Sequence, residues 1–193
     1  MDAGARSPWR HLPNLISLLR IGLVFPVAWM MTEQRYGTAL WLALVAGLSD
    51  ALDGWMARQF GWRSRLGAFL DPAADKLLLM TSYLVLAIMA RLPWWLALIV
   101  LGRDLVILGG ALAYRLLIGP FTAQPRRLAK LCTLVQIVCI LLELLRSSAL
   151  PGLHVEAVQW LVAVLTLASG LDYVVHWAAR ARRVGRAGHK GMV

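Results

Sequence analysis

The chain has 193 residues, 60% of them hydrophobic and only 16% charged, with a mean hydropathy of +0.66. An apolar share well above the ~45–50% of soluble domains excludes an ordinary water-soluble globule, and repeated apolar runs near the ~20 residues needed to cross a bilayer indicate a polytopic membrane protein. The net charge of +10 would suggest nucleic acid in a soluble chain, but here the basic residues collect in loops and tails, where they set topology and meet anionic head groups, so no nucleic-acid partner is expected.

In chain order, Ser7-Pro8 opens a helix, with the serine as cap and the proline in the first helical position. Residues 9–20 alternate basic and apolar faces, which predicts an amphipathic juxtamembrane helix lying along the membrane surface. The positive charge ahead of the first apolar stretch, with no small-residue cleavage site, reads as an uncleaved first span. Six transmembrane helices are predicted, over 15–31, 38–58, 67–90, 93–117, 128–145 and 156–178. Cys132 and Cys139 share span five without a CxxC motif and read as small buried hydrophobes. No repeat or linker divides the sequence, so 1–193 reads as a single all-α membrane domain with 184–193 as a mobile tail.

Charge sets the orientation. Arg35, Arg91 and Arg146 lie singly near the turns on one side. Arg6 and Arg10, then Arg58, Arg63 and Arg65, then Arg115, Arg126, Arg127 and Lys130, then the tail, lie on the other. Both termini and the even-numbered loops are therefore expected in the cytoplasm.

Four of the ten acidic residues sit in two of the most apolar neighbourhoods: Asp50 and Asp53 at the end of span two, Asp71 and Asp75 at the start of span three. Spacings of three and four put each pair on one helix face. A short connection makes the two helices antiparallel neighbours, so the pairs are expected to face each other just inside the cytoplasmic interface. Carboxylates there cost ~2.5–3.5 kcal/mol each at a helix centre and less near the interface, and they need a positive partner. Arg58, Arg63, Arg65 and Lys76 are the local cations. An all-oxygen set without histidine or cysteine suits Mg²⁺ or Mn²⁺, and two such ions are a recurring arrangement in phosphoryl chemistry. Salt bridges that pin helices, and a cation pathway, are the competing readings of the same aspartates.

The pattern Asp50-x-x-Asp53-Gly54-x-x-Ala57-Arg58, then eight residues, then Gly67-x-x-x-Asp71-x-x-x-Asp75, resembles the signature of the CDP-alcohol phosphatidyltransferases, with every defining position filled. LPNLISLLR (residues 12–20) resembles that family's amphipathic opening segment, and AKLCTLVQ (129–136) its fifth-helix stretch. The resemblance implies six transmembrane helices, a homodimer, and transfer of a phosphatidyl group from CDP-diacylglycerol to an alcohol with release of CMP. It implies metal ligation by Asp50, Asp53 and Asp71, with Asp75 as the catalytic base that also touches a metal. It places Asp50, Gly54, Ala57, Arg58, Gly67 and Asp71 around the CDP group.

The acceptor rests on less. Gly102-Arg103-Asp104 resembles the arginine–aspartate pair of the cardiolipin-synthase branch, where phosphatidylglycerol is the acceptor; the alternative is glycerol 3-phosphate, giving phosphatidylglycerophosphate. Arg103, Arg126, Arg127 and Lys130 are the candidates for gripping an acceptor phosphate. For Arg103 a salt bridge with Asp104 or Asp172 is the plainer reading, and for Arg126 and Arg127 a role in topology. Glu143 is expected to pair with Arg146 one turn on. A bacterial inner membrane is the expected location, with the site open to the cytoplasm.

Overall fold

The computed structural model describes residues 12–60, 67–117 and 127–190, with side chains described over 18–49, 74–110 and 128–175 and at a few isolated positions. These residues form six α-helices and no strand: α1 (Leu12–Thr32), α2 (Tyr36–Phe60), α3 (Gly67–Ile88), α4 (Trp94–Leu117), α5 (Arg127–Ser148) and α6 (Glu156–Lys190). Each corresponds to one expected span.

One sequence expectation is corrected. No separate juxtamembrane helix is set off among the described residues, because residues 12–20 run without a break into α1. Pro13 falls in the first turn, where its missing N–H is not needed, and nothing between it and Phe25 interrupts the helix. At the other end, α6 continues through residues 184–190, taking in most of the segment expected as a tail.

Two helices end by the same device. After α1, Gln34 takes φ 56° while Arg35 N donates to Met30 O and Gln34 N to Met31 O; after α3, Ala90 takes φ 53° while Arg91 N donates to Leu86 O and Ala90 N to Ala87 O. Both are Schellman closures, which satisfy the last carbonyls and reverse the chain within a few residues. Pro93 then precedes α4, and Glu156 places negative charge in the first turn of α6, where the helix dipole favours it.

The helices divide into two compact units: Met1–Leu92 with Ile140–Leu153, and Pro93–Cys139 with His154–Val193. In the first, α1 packs along both α2 and α3. Its core holds Val27 and Met31 from α1, Ala39 and Ala46 from α2, and Leu79, Tyr83 and Leu86 from α3, with Ile140 and Leu144 from the end of α5. Arg20–Asp75 and Tyr36–Arg91 are each 55 residues apart, so the two chain segments run in parallel at constant offset. The second of these contacts combines a 3.3 Å bond from Arg91 Nε to Tyr36 Oη with the guanidinium 5.0 Å from the ring centre. Arg146 closes the same end: it donates to the Arg91 carbonyl and to Glu143, the pairing expected from sequence.

In the second unit, α4 packs against α6. Trp95 stacks on Trp160, Arg103 donates to Ser169, and Tyr173 donates to the Ile107 carbonyl. The partners are 65 or 66 residues apart throughout, so these helices also run parallel. On α5, Gln136 donates to Thr166 of α6 at 3.0 Å, and Cys132 Sγ lies 3.5 Å from the same hydroxyl. Cys132 and Cys139 are both buried, as expected.

These helices carry apolar side chains on their exposed faces as well as in their core, and the core also takes in several polar groups. Arg103, Asp104, Gln136, Glu143, Thr166 and Ser169 are buried, while Leu98, Leu108, Leu134, Ile137, Val164 and Leu171 are exposed. Exposed apolar faces, with the buried polar groups meeting one another, suit a lipid surround. Among the described residues, Leu128–Ser148 and Glu156–Val175 are long and apolar enough to cross a membrane, and Leu18–Thr32 and Tyr36–Ser49 are shorter apolar helices.

Candidate active site

The acidic residues occupy matching levels of their helices. Asp53 and Asp50 lie seven and ten residues before the end of α2, and Asp71 and Asp75 four and eight residues after the start of α3. At a rise of ~1.5 Å per residue, all four lie about 6–15 Å from the helix ends that residues 61–66 connect. The spacing within each pair keeps its two members on one face. The side chains of Asp50, Asp53, Ala57, Arg58 and Asp71, and the surroundings of Gly54 and Gly67, lie outside those described, although all seven residues are on described helices.

Asp75 is described. Its Oδ1 accepts a 2.8 Å hydrogen bond from Arg20 Nη1, with the arginine side chain 3% exposed and the carboxylate 45% exposed. The pair joins α1 to α3. Arg20 is absent from the cations that the sequence places near the aspartates, because it lies 55 residues away along the chain. A signal was nonetheless available: it closes LPNLISLLR, the stretch that resembles the family's opening segment.

The expected donor set, two pairs of carboxylates, would offer oxygen ligands only, which suits Mg²⁺ or Mn²⁺ rather than zinc; among the described residues no three His, Cys, Asp or Glu side chains come together. Lys76 is exposed beside them.

Arg103 lies in the second unit. Its Nη1 meets Asp104 Oδ1 at 2.6 Å and its Nη2 donates to Ser169 Oγ at 2.8 Å. Of the two carboxylates expected as partners, Asp104 is the one it meets. Its buried Nε has no hydrogen-bond partner among the described residues. A Cβ added at Gly170 would lie 3.6 Å from Arg103 Cγ, so the arginine stem passes close over that helix surface. Lys130 is exposed on α5, the Arg127 side chain is not among those described, and Arg126 lies outside the described residues. Sequence reasoning did not find Ser169, Gly170 or the Gln136–Thr166 pair. Ser169 and Gly170 carry no motif, and Gln136 stood only within a resemblance.

A profile of the CDP-alcohol phosphatidyltransferases matches residues 10–180, which takes in both aspartate pairs, Arg20, Arg103 and Lys130. The chain belongs to that family. Among CDP-alcohol phosphatidyltransferases it is 35% identical over 173 residues to a probable phosphatidylglycerophosphate synthase of Mycobacterium tuberculosis, covering 85% of this chain and 80% of the relative. It is 29% identical over 185 residues to the human cardiolipin synthase (CMP-forming), covering 86% of this chain and 61% of the relative. It is 28% identical over 194 residues to a chloroplastic CDP-diacylglycerol–glycerol-3-phosphate 3-phosphatidyltransferase of rice, covering 90% and 59%. The chain thus spans about three-fifths of the length of the human and rat cardiolipin synthases that it matches, 61% in each case.

Proposed function

We propose that this chain is an integral membrane phospholipid synthase. It transfers the phosphatidyl group of CDP-diacylglycerol to a glycerol-type hydroxyl and releases CMP. The acceptor in this reading is phosphatidylglycerol and the product cardiolipin. The observation that supports the proposal is the placement of Asp50 and Asp53 late on α2 and of Asp71 and Asp75 early on α3, inside the stretch that the family profile matches.

Asp50, Asp53 and Asp71 would hold the divalent ions, with Asp75 within reach of one. When bound, two Mg²⁺ or Mn²⁺ ions would neutralise charge on the diphosphate and on the departing CMP. The small residues Gly54, Ala57 and Gly67 let the nucleotide approach the helix backbones, and Arg58 meets its phosphate charge. Asp75 takes the proton of the acceptor hydroxyl as its oxygen attacks the lipid-side phosphorus and the bond to the CMP oxygen breaks. CMP leaves as a phosphate, so no general acid is needed. Arg103, Arg126, Arg127 and Lys130 are the candidate grips for the acceptor phosphate.

The apolar exposed faces support a chain embedded in lipid through all six helices, and the basic residues at alternate connections support both termini and the site on the cytoplasmic side of a bacterial inner membrane. A homodimer follows from the family resemblance. Glycerol 3-phosphate is the second reading of the acceptor, favoured by the mycobacterial relative, a probable phosphatidylglycerophosphate synthase, and the larger share of that relative covered. The deciding experiment offers purified protein CDP-diacylglycerol, Mg²⁺ and both acceptors together, with products identified by mass spectrometry. Cardiolipin supports the first reading and phosphatidylglycerophosphate the second. No CMP with either acceptor overturns both.

A further inference from the structure

We propose that Arg20 is a positioning residue that holds the Asp75 carboxylate in the orientation needed to take the acceptor's proton; this rests on the transferase reading above. Three observations carry it. The guanidinium lies on the buried face of α1 in line with Val27 and Met31, and its side chain is 3% exposed, whereas Asp75 keeps 45% of its exposure. Arg20 therefore meets the carboxylate from the interior, while the Asp75 side chain keeps an exposed surface. The contact runs from Nη1 to Oδ1 at 2.8 Å, a charge-assisted hydrogen bond that directs that carboxylate oxygen. Finally, the helices that carry the two groups pack along each other, so the contact fixes α3 at the level of its acidic pair against α1.

A charged group buried for packing alone is a poor choice, since well-packed apolar residues of similar volume do that job as well or better. A guanidinium carries hydrogen-bond donors and no acceptor, so it is not the group that receives the transferred proton. What it supplies is a fixed direction. An effect of that kind belongs to the chemical step and not to substrate capture.

The test uses the full chain, with CMP release from CDP-diacylglycerol as the activity and CDP affinity in Mn²⁺ by calorimetry as a separate readout. Arg20→Gln is expected to lower kcat on the order of 10²-fold, the size associated with a misplaced catalytic group. KM for CDP-diacylglycerol and the affinity for CDP should stay within about twofold of wild type. Arg20→Lys, which keeps the charge without the planar fork, should lose about tenfold. In an Asp75→Asn background, adding Arg20→Gln should cost less than about threefold further, because the two residues act as one unit.

Wild-type kcat in either Arg20 variant overturns the proposal. So does a loss that falls on KM and CDP affinity, or one that persists undiminished in the Asp75→Asn background. If Arg20→Gln does not fold, Arg20→Lys and its combination with Asp75→Asn decide by the same criteria. A wild-type protein that releases no CMP takes the proposal down with the transferase reading, whereas an active wild type with unaffected Arg20 variants counts against the proposal alone.

Discussion

Replacing Asp71 by alanine removes one proposed metal ligand and leaves the other three carboxylates in place. CMP release should fall on the order of 10³-fold, the scale at which a preorganised electrostatic contribution is lost. Activity assays with Mg²⁺ titrated to saturation check this, since a mere weakening of metal affinity would be recovered at high Mg²⁺. A different residue-scale outcome is expected at Glu143, whose side chain is 0% exposed and is met by Arg146 at 26% exposure. Arg146→Met should destabilise by about 3 kcal/mol, the low end for breaking a buried ion pair, because the arginine itself keeps contact with its surroundings. Denaturant titration in detergent reads that number. Both pairs were open to sequence reasoning to different degrees. Glu143 and Arg146 are three apart on one helix, so local geometry alone joins them. Arg20 and Asp75 are joined only by tertiary packing, and no local pattern announces such a partner.

The existence of each helix was legible because long, predominantly apolar runs leave few alternatives. The ends were less so. The closures at Gln34 and Ala90 use non-glycine residues with positive φ, and sequence reasoning expects glycine at such positions. The buried polar contacts between α5 and α6 were equally hidden, since a lone glutamine and a lone threonine read as isolated polar residues in apolar runs. Thr166→Val tests their worth: it removes the oxygen that receives the Gln136 amide at close to the original shape. The expected cost is about 1–2 kcal/mol, that of denying one bond to a buried donor. Thermal unfolding in detergent, with Thr166→Ser as the variant that keeps the hydroxyl, separates the lost bond from lost volume.

At the scale of the molecule, basic residues gathered at alternate connections predict one orientation in the membrane. Cysteines placed at Gln34 and Leu150, both exposed, should react with a membrane-impermeant maleimide from outside intact bacteria. A cysteine placed at the exposed Gln59 should react only after lysis. Labelling of Gln59 from outside would reverse the expected orientation and move the aspartates away from cytoplasmic nucleotide. Such mapping is ordinarily preceded by stripping a protein of its own thiols, a step that risks the fold. Here Cys132 and Cys139 are packed inside their unit, next to neighbours that an aqueous reagent does not reach. The native protein thus arrives with a silent background, and each introduced sulfur reports its own address.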